Sequence, residues 1–214
     1  MKSLVVSATE MEIAPFLSHF NLQIGSNYLD ENQVFVLVTG VGMVATAFSL
    51  GSLLATTSFE YALNAGIAGS FDERVRLGDV VQVTEDCFSE LGAMNGSSFL
   101  SIEQLGFGTA KVSPFRSEML DLLFPSVGTI KGITVNCVHG SEEEILKIKK
   151  MLSPDIETME GAAFFYACNQ VKLPSVQIRS VSNYVERRDK SRWNIPLAIE
   201  KLNDRLIDLY TSIR

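Results

Sequence analysis

The feature that most constrains the fold is an alternation of short β-branched runs with helical stretches along the chain. Such alternation favours a sheet wrapped by helices. The chain has 214 residues, 46% of them hydrophobic, and no repeat or linker divides it. We therefore expect one α/β domain over residues 1–214. The predicted strands are residues 4–7, 34–39, 62–65, 79–84, 130–138 and 176–181, the predicted helices are residues 10–20, 43–56, 117–123, 142–151, 160–170 and 195–213, and residues 89–113 predict a long loop.

The charge and the apolar pattern narrow the class of partner. A net charge of −7 argues against nucleic-acid binding, which needs a basic surface. A small-molecule substrate is the expectation instead. No stretch reaches the about 18 consecutive apolar residues of a membrane span, and residues 4–6 are too short a run for a signal-peptide core. We expect a cytoplasmic protein without a membrane partner.

The cysteines and histidines exclude several chemistries. Cys87, Cys137 and Cys168 are odd in number and widely spaced, which indicates neither a disulfide framework nor a Cys-x-x-Cys site. Because His19 and His139 are the only histidines, a histidine-rich metal centre is excluded. We expect neither a metal nor a cofactor.

The segment Thr9-Glu10-Met11-Glu12, directly after the first predicted strand, has two interpretations. In the first, it is a capping box in which Glu12 reaches back to the backbone amide of Thr9. In the second, Glu12 is a general base that activates water at a strand-helix junction.

Two glycine-rich turns offer backbone amides to a ligand. Gly40 and Gly42 match the loose pattern G-x-G-x-x-A, but no acid closes the next strand to hold a ribose, so NAD is not expected. The turn with Gly66 and Gly69 has no Arg or Lys inside it, although a bound phosphate calls for one.

Glu160 and Asn183 are predicted to meet at one pocket. Glu160 opens a predicted helix and Asn183 follows Ser182 at the end of an apolar strand. In a parallel α/β sheet, strand carboxyl ends and helix amino ends share one edge, where ligands bind. Taken singly, Glu160 could be an acid at a helix start and Asn183 an ordinary turn residue.

The blocks ATEME, TGVG, NAGIAGSFD with RLGDVV, ETMEGAA and IRSVSN occur in this order. Together they resemble the purine nucleoside phosphorylase and nucleosidase superfamily over nearly the whole chain. The resemblance implies a three-layer fold, in which a twisted mixed sheet partly closes into a barrel and is flanked by helices. It also implies cleavage of an N-glycosidic bond and assembly as a homodimer or larger homo-oligomer.

The resemblance carries over residue by residue. Glu12 matches the water-activating glutamate of the nucleosidases, and Met159 and Glu160 match residues that hold the ribose. Val138 and His139 match positions that flank the base. The backbone of the pocket would come from Gly40, Gly42, Gly66, Ile67, Ala68 and Gly69.

Two departures from the superfamily pattern narrow the expected reaction type and the expected base. Phosphorylases of this superfamily place phosphate-binding arginines in two regions, where this chain has instead Thr9, Glu10, Glu12, Leu63 and Asn64. Hydrolysis is therefore favoured over phosphorolysis. Asn183 replaces the aspartate of adenine-specific nucleosidases. An amide NH2 can donate to a 6-oxo group while its oxygen accepts from N7–H of the departing base, so Asn183 is expected to be a catalytic residue that stabilises the leaving base. Facing an adenine amino group, the NH2 would leave unmatched donors at a cost of about 1–3 kcal/mol. Asn183 therefore points to hypoxanthine or guanine as the base.

A narrower resemblance, to one branch of nucleosidases, lies in the segment NYVERRDKSRWNIPLAIEKLN and in the earlier segments VTEDCFSELGA and ITVNCVHG. That branch releases hypoxanthine from a ribose extended by a benzoate-bearing chain. The carboxylate gives a role to the basic cluster Arg187, Arg188, Lys190 and Arg192, although a solvated loop paired with Glu186 and Asp189 explains the same residues. Three alternatives stay open: a nucleosidase of the methylthioadenosine/S-adenosylhomocysteine type, a 6-oxopurine nucleoside phosphorylase, and a nucleoside-binding protein without catalysis.

Overall fold

The computed structural model describes residues 1–123 and 129–213. Strands and helices alternate through these residues, as the sequence predicts. The strands are β1 (Lys2–Ser7), β2 (Gly25–Leu29), β3 (Asn32–Val38), β4 (Tyr61–Ser70), β5 (Val80–Cys87), β6 (Gly92–Asn95), β7 (Ser98–Ser101), β8 (Lys111–Val112), β9 (Thr129–Thr134), β10 (Ile156–Thr158) and β11 (Ser175–Tyr184). The helices are α1 (Glu10–Phe20), α2 (Met43–Leu54), α3 (Glu118–Leu123), α4 (Glu142–Leu152), α5 (Gly161–Gln170) and α6 (Ile195–Ser212), with a 3-10 turn at Lys190–Arg192.

A mixed sheet organises the molecule. Within the described residues its strands run in the order β10-β9-β5-β11-β4-β1-β3-β2, and β8 is added beside β5. A further pairing between β10 and β4 closes the first five of these strands into a barrel. The prediction of a mixed sheet that partly closes into a barrel is confirmed.

Two apolar clusters attach helices to the two faces of the sheet. On one face, Phe16 of α1 packs with Leu206 and Tyr210 of α6. On the other face, Leu50 of α2 packs with Phe164 of α5. Burying these faces supplies most of the driving force for folding. None of the helices in the described ranges is long and apolar enough to span a bilayer.

Strand β4 differs most from its prediction. The sequence predicts an end at Ala65, but the strand continues through the glycine-rich segment to Ser70. Its far end pairs with β11 on one side and β10 on the other. These two ladders of backbone hydrogen bonds outweigh the weak strand propensity of glycine.

Short strands account for most of the other differences. The predicted strand over residues 130–138 ends at Thr134, and the sequence pattern does not predict β2 or β10. The expected loop over residues 89–113 contains a hairpin of β6 and β7, which pair from Gly92↔Ser101 to Asn95↔Ser98. Elements of three to five residues carry too little periodicity to be read from sequence.

Candidate active site

A cavity of about 350 Å³ opens at the carboxyl ends of the parallel strands β1, β4 and β11. The start of α1, the junction of β10 and α5, the loop after β9 and the start of α6 complete its wall. Its lining comprises Ala8, Thr9, Met11, Glu12, Val41, Ile67, Ala68, Gly69, Val138, His139, Glu157, Thr158, Met159, Glu160, Ser182, Asn183, Tyr184, Glu186, Arg188, Trp193 and Ile195.

Most of the predicted site residues meet at this cavity. It is lined by Glu12, Ile67, Ala68, Gly69, Val138, His139, Met159, Glu160, Asn183 and Arg188. The predicted residues Gly40, Gly42, Gly66, Arg187, Lys190 and Arg192 do not belong to the lining found in the described part of the chain.

The two carboxylate oxygens of Glu12 have different hydrogen-bond partners. Oε2 accepts from the Thr9 amide at 3.0 Å and from the Thr9 and Ser7 hydroxyls at 2.9 and 3.2 Å. Oε1 accepts from the backbone amide of Ile67 at 3.2 Å. The two interpretations of the Thr9–Glu12 segment are therefore compatible, because one oxygen serves the helix start and the other faces β4.

Helix α6 fixes the backbone beneath Glu12. The buried side chain of Asn203 donates to the Glu12 carbonyl at 2.8 Å and accepts from the Phe16 amide at 2.9 Å. Pro15 lies between these two residues and has no N–H for the helix ladder. The amide of Asn203 thus holds α1 where proline weakens its hydrogen bonding.

Glu160 is the N-cap residue of α5, one position before the helix begins. Its Oε1 accepts from the Gly42 amide at 2.8 Å, which gives Gly42 a role although it lies outside the lining. Burial raises the pKa of the Glu160 carboxyl, and the Gly42 amide and the positive charge of Arg179 act against that rise. The side chain is held rigidly at the cavity wall.

Arg179 on β11 is a buried cation that the sequence analysis does not predict. Its side chain is 2% exposed and donates to the side chain and carbonyl of Asn64. Burial lowers the pKa of Arg179, and the charges of Glu160, Glu12 and Asp86 raise it. A Cβ on Gly66 would lie 3.1 Å from Glu12 Oε1 and 3.2 Å from Arg179 Nη1. Glycine at position 66 therefore lets this cation approach the carboxylate.

A second buried carboxyl, Asp86 on β5, anchors the start of α5 from inside the barrel. It accepts from the Thr134 hydroxyl at 2.9 Å and from the Gln177 amide at 3.0 Å. Thr134 Oγ1 in turn accepts from the Ala162 amide in the first turn of α5 at 2.7 Å. Burial raises the pKa of Asp86. A Cβ on Gly161 would lie 2.1 Å from Asp86 Oδ2, so the helix approaches this network only because residue 161 is glycine.

His139 is clamped by Glu157, another residue that the sequence analysis does not predict. Glu157 lies on β10 and is 5% exposed. It accepts from His139 Nδ1 at 2.7 Å and from the His139 backbone amide at 3.2 Å. The hydrogen bond to Glu157 raises the pKa of His139, and burial acts against it.

Asn183 lies at a bulge near the end of β11. The register with β4 shifts between Val181 and Asn183. Such bulges often occur beside functional sites. Asn183 Oδ1 accepts from the Ser182 hydroxyl at 2.8 Å, and Nδ2 donates to the Tyr184 carbonyl at 3.0 Å. One N–H of the amide remains for a ligand.

The residues of the basic cluster after Asn183 make different contacts. Arg188 lines the cavity and lies over the Trp193 ring, 5.0 Å from its centroid. Arg192 instead pairs with Glu186 at 2.6 Å. Asp189 accepts from the Ser191 amide at the 3-10 turn. Arg188 is therefore the member of the cluster placed to meet a ligand.

Residues 5–211 match the family described as the phosphorylase superfamily. The chain belongs to this superfamily. A futalosine hydrolase of Thermus thermophilus is 30% identical over 171 residues, which cover 78% of this chain and 76% of that protein. A 5'-methylthioadenosine/S-adenosylhomocysteine nucleosidase of Colwellia psychrerythraea is 27% identical over 209 residues, covering 86% of this chain and 84% of that protein.

A solved structure supports the same fold. The native structure of futalosine hydrolase of Helicobacter pylori superposes with a TM-score of 0.81 at 15% identity, covering 99% of this chain and 98% of that chain. The superfamily resemblance drawn from the sequence blocks is confirmed. These relatives are enzymes that hydrolyse N-glycosyl bonds, in agreement with the predicted class.

Replacing Arg179 with Met should destabilise the protein by about 3–5 kcal/mol, because it leaves buried carboxyls without their cation. The loss of stability should become smaller as the pH falls. The pKa values of Glu160 and Asp86 are raised, so these carboxyls are protonated early in acid and then no longer need the cation. Chemical denaturation at several pH values measures both effects.

The control is Arg74→Met, which removes an exposed guanidinium paired with Asp72 and should change stability little. A loss for Arg179→Met that does not vary with pH would mean that Arg179 matters only through packing.

Proposed function

We propose that this protein hydrolyses the N-glycosidic bond of futalosine and releases hypoxanthine and dehypoxanthine futalosine, a step of menaquinone biosynthesis. The observation that carries the proposal is the 30% identity to a futalosine hydrolase together with an amide, Asn183, at the cavity where adenine-specific relatives carry an acid. Water is the second substrate, and no cofactor takes part.

The carboxylates of Glu160 and Glu12 would have different roles in the reaction. Glu160, fixed by the Gly42 amide, would accept hydrogen bonds from the ribose hydroxyls, with Met159 beside it. Glu12 would take a proton from the water that attacks C1', using Oε1, which faces β4. Positioning the water and removing its proton stabilise an oxocarbenium-like transition state.

The base would lie against Val138, His139 and the backbone of residues 67–69. The free N–H of Asn183 would donate to the 6-oxo group of hypoxanthine. Its oxygen already accepts from Ser182, which fixes the orientation of the amide. This orientation favours a carbonyl over an amino group at position 6 of the purine.

The charges of the cavity favour water over phosphate as the nucleophile. A phosphate dianion needs accessible Arg or Lys donors. Arg179, the cation beneath Glu12, is 2% exposed and bound to Asn64. Among the described residues that line the cavity, Arg188 is the one Arg or Lys. Its place beside Trp193 is better suited to the benzoate of the substrate, for which the indole supplies an aromatic neighbour.

We also infer a homodimer or larger homo-oligomer that works in the cytoplasm. Val44 and Phe48, four residues apart on α2, are 77% and 75% exposed, and patches of this kind mark protein interfaces. The neighbouring Val41 lines the cavity, so a partner bound there would border the substrate. The three cysteines are free, which fits a reducing compartment.

A second candidate substrate class is methylthioadenosine and S-adenosylhomocysteine. The Colwellia nucleosidase, which matches 86% of the chain, favours it. Asn183 argues against it, because its N–H would face the amino group of adenine. A phosphorylase and a binding protein without activity are less well supported, because the cavity offers phosphate few donors and retains both Glu12 and Glu160.

Incubating the purified protein with futalosine, inosine and methylthioadenosine, each with and without phosphate, tests the proposal. We expect hypoxanthine from futalosine at a rate that phosphate does not change, measured by chromatography of the free base. Release that requires phosphate would identify a phosphorylase, and adenine from methylthioadenosine alone would identify the second candidate.

Substituting Glu12 with Gln should lower kcat by about 10²–10⁴-fold, because an amide cannot accept the proton of water. KM should change little. The Gln side chain can still accept from the Thr9 amide, so the stability of the variant, measured by thermal unfolding, checks that the helix start survives. Near-normal turnover would restrict Glu12 to its capping role.

The Asn183→Asp variant should release hypoxanthine more slowly and gain activity towards adenine nucleosides. The carboxylate loses the N–H that meets the 6-oxo group, at a cost of about 1–3 kcal/mol. Comparing kcat/KM for futalosine and for an adenine nucleoside measures the change. An unaltered ratio would contradict the role of Asn183 in base selection.

A further inference from the structure

Asn183 cannot supply the proton with which the base would leave as a neutral molecule. When the C1'–N9 bond breaks, its electron pair enters the purine ring, and an unprotonated hypoxanthine would leave as an anion. An amide donates hydrogen bonds but has no proton to transfer at neutral pH. Its oxygen is moreover engaged by the Ser182 hydroxyl at 2.8 Å. For the base to leave neutral, a group other than Asn183 has to donate the proton.

Gly69 marks the place where such a group would have to act. In the register of the sheet, Gly69 on β4 pairs with Asn183 on β11 and with Glu157 on β10. A Cβ on residue 69 would lie 3.1 Å from Asn183 Nδ2 and 3.6 Å from Glu157 Cγ. Val185 Cγ2 would lie 3.0 Å from the same Cβ, so the side chains of Asn183, Val185 and Glu157 share the space above Gly69. Asn183 therefore lies close to the residue that clamps His139.

We infer that His139, held in place by Glu157, is the acid that protonates the departing hypoxanthine. The inference rests on the proposed function. Because a carboxylate accepts, the 2.7 Å contact uses Nδ1 of His139 as the donor. The second bond, from the His139 backbone amide to Glu157, fixes the ring against β10. Nε2 is then the ring nitrogen left for the cavity that His139 lines.

The proton balance is complete without any further reactant. As C1'–N9 breaks, N7 of the base takes the proton from Nε2, and hypoxanthine leaves neutral while Asn183 donates to its 6-oxo group. Water adds to C1' and gives its proton to Glu12. The cycle ends with a neutral imidazole and a protonated Glu12, and exchange with solvent returns both to their starting states.

The electrostatic surroundings of His139 favour the charged ring. Glu157 contributes most to raising the pKa of His139, and Glu144 and Glu90 add smaller contributions. The ring of Phe71 contacts the imidazole edge-on, with centroids 6.2 Å apart. Two cationic residues line cavities that His139 also lines, Arg188 at the site cavity and Lys147 at the neighbouring one. An acid that must be protonated works below its pKa, so activity should fall as the pH rises through the pKa of His139.

The test compares two substrates whose leaving groups differ in their need for a proton. Futalosine needs one, whereas 4-nitrophenyl β-D-riboside releases a stable phenolate without help. For His139→Gln, which keeps a donor but no transferable proton, we expect kcat on futalosine to fall by about 10²–10³-fold. Hydrolysis of the nitrophenyl riboside should change by less than about threefold, because general acid catalysis contributes nothing to it.

Glu157→Gln tests the positioning residue with a side chain of nearly the same size. We expect the same selective loss on futalosine, with the alkaline limb of the kcat/KM profile moved to lower pH. Glu144→Gln is the control, since Glu144 is exposed on α4 and contributes less to the pKa of His139. Its alkaline limb should move less than that of Glu157→Gln.

The outcomes separate this inference from the proposed function. Equal losses on both substrates, or normal futalosine turnover by His139→Gln, would overturn the role of His139 as the acid. Inactivity of the unaltered protein on futalosine, with hydrolysis of the nitrophenyl riboside intact, would overturn the proposed substrate instead.

Discussion

The site depends on the way β4 shares its two edges among three strands. It pairs with β1 along its first half and with β10 beyond the point where β1 ends, while β11 follows it on the other side. This exchange of partners closes the barrel. It also brings the ends of β1, β10 and β11 around one stretch of backbone, residues 66–69. Glycine fits at positions 66 and 69, because side chains from neighbouring elements fill the space above them.

Charge inside the barrel supports the carboxylates at its mouth. Arg179 interacts electrostatically with Glu12, Glu160 and Asp86, and Asp86 holds the start of α5 through Thr134. A buried cation costs free energy unless its charge is compensated. The carboxylates that bind ribose and activate water in the proposed mechanism are thus part of what makes Arg179 tolerable. Function and stability share the same charges in this protein.

The polar residues that follow local rules are predictable from the sequence. Glu12, Glu160 and Asn183 could be predicted to share a pocket because strand ends and helix starts meet at one sheet edge. Arg179 and Asp86 could not be placed, since their partners lie far away in the chain. A charged residue within the apolar run of β11 was nevertheless a visible signal. The role of Glu157 could not be predicted, because β10 has three residues. That is too few for a sequence pattern to show which side chains face inward.

Glu12 has a consequence for how relatives of this protein can be interpreted. One carboxylate oxygen holds the first turn of α1, and the other accepts from the Ile67 amide of β4. Loss of the side chain would weaken the helix start even in a descendant that no longer performs any reaction. Selection for folding alone would therefore preserve a hydrogen-bond acceptor, either glutamate or glutamine, at this position. A pseudoenzyme in this lineage would be recognised by a glutamine at position 12 or by a change at His139, because neither requires the fold to be lost.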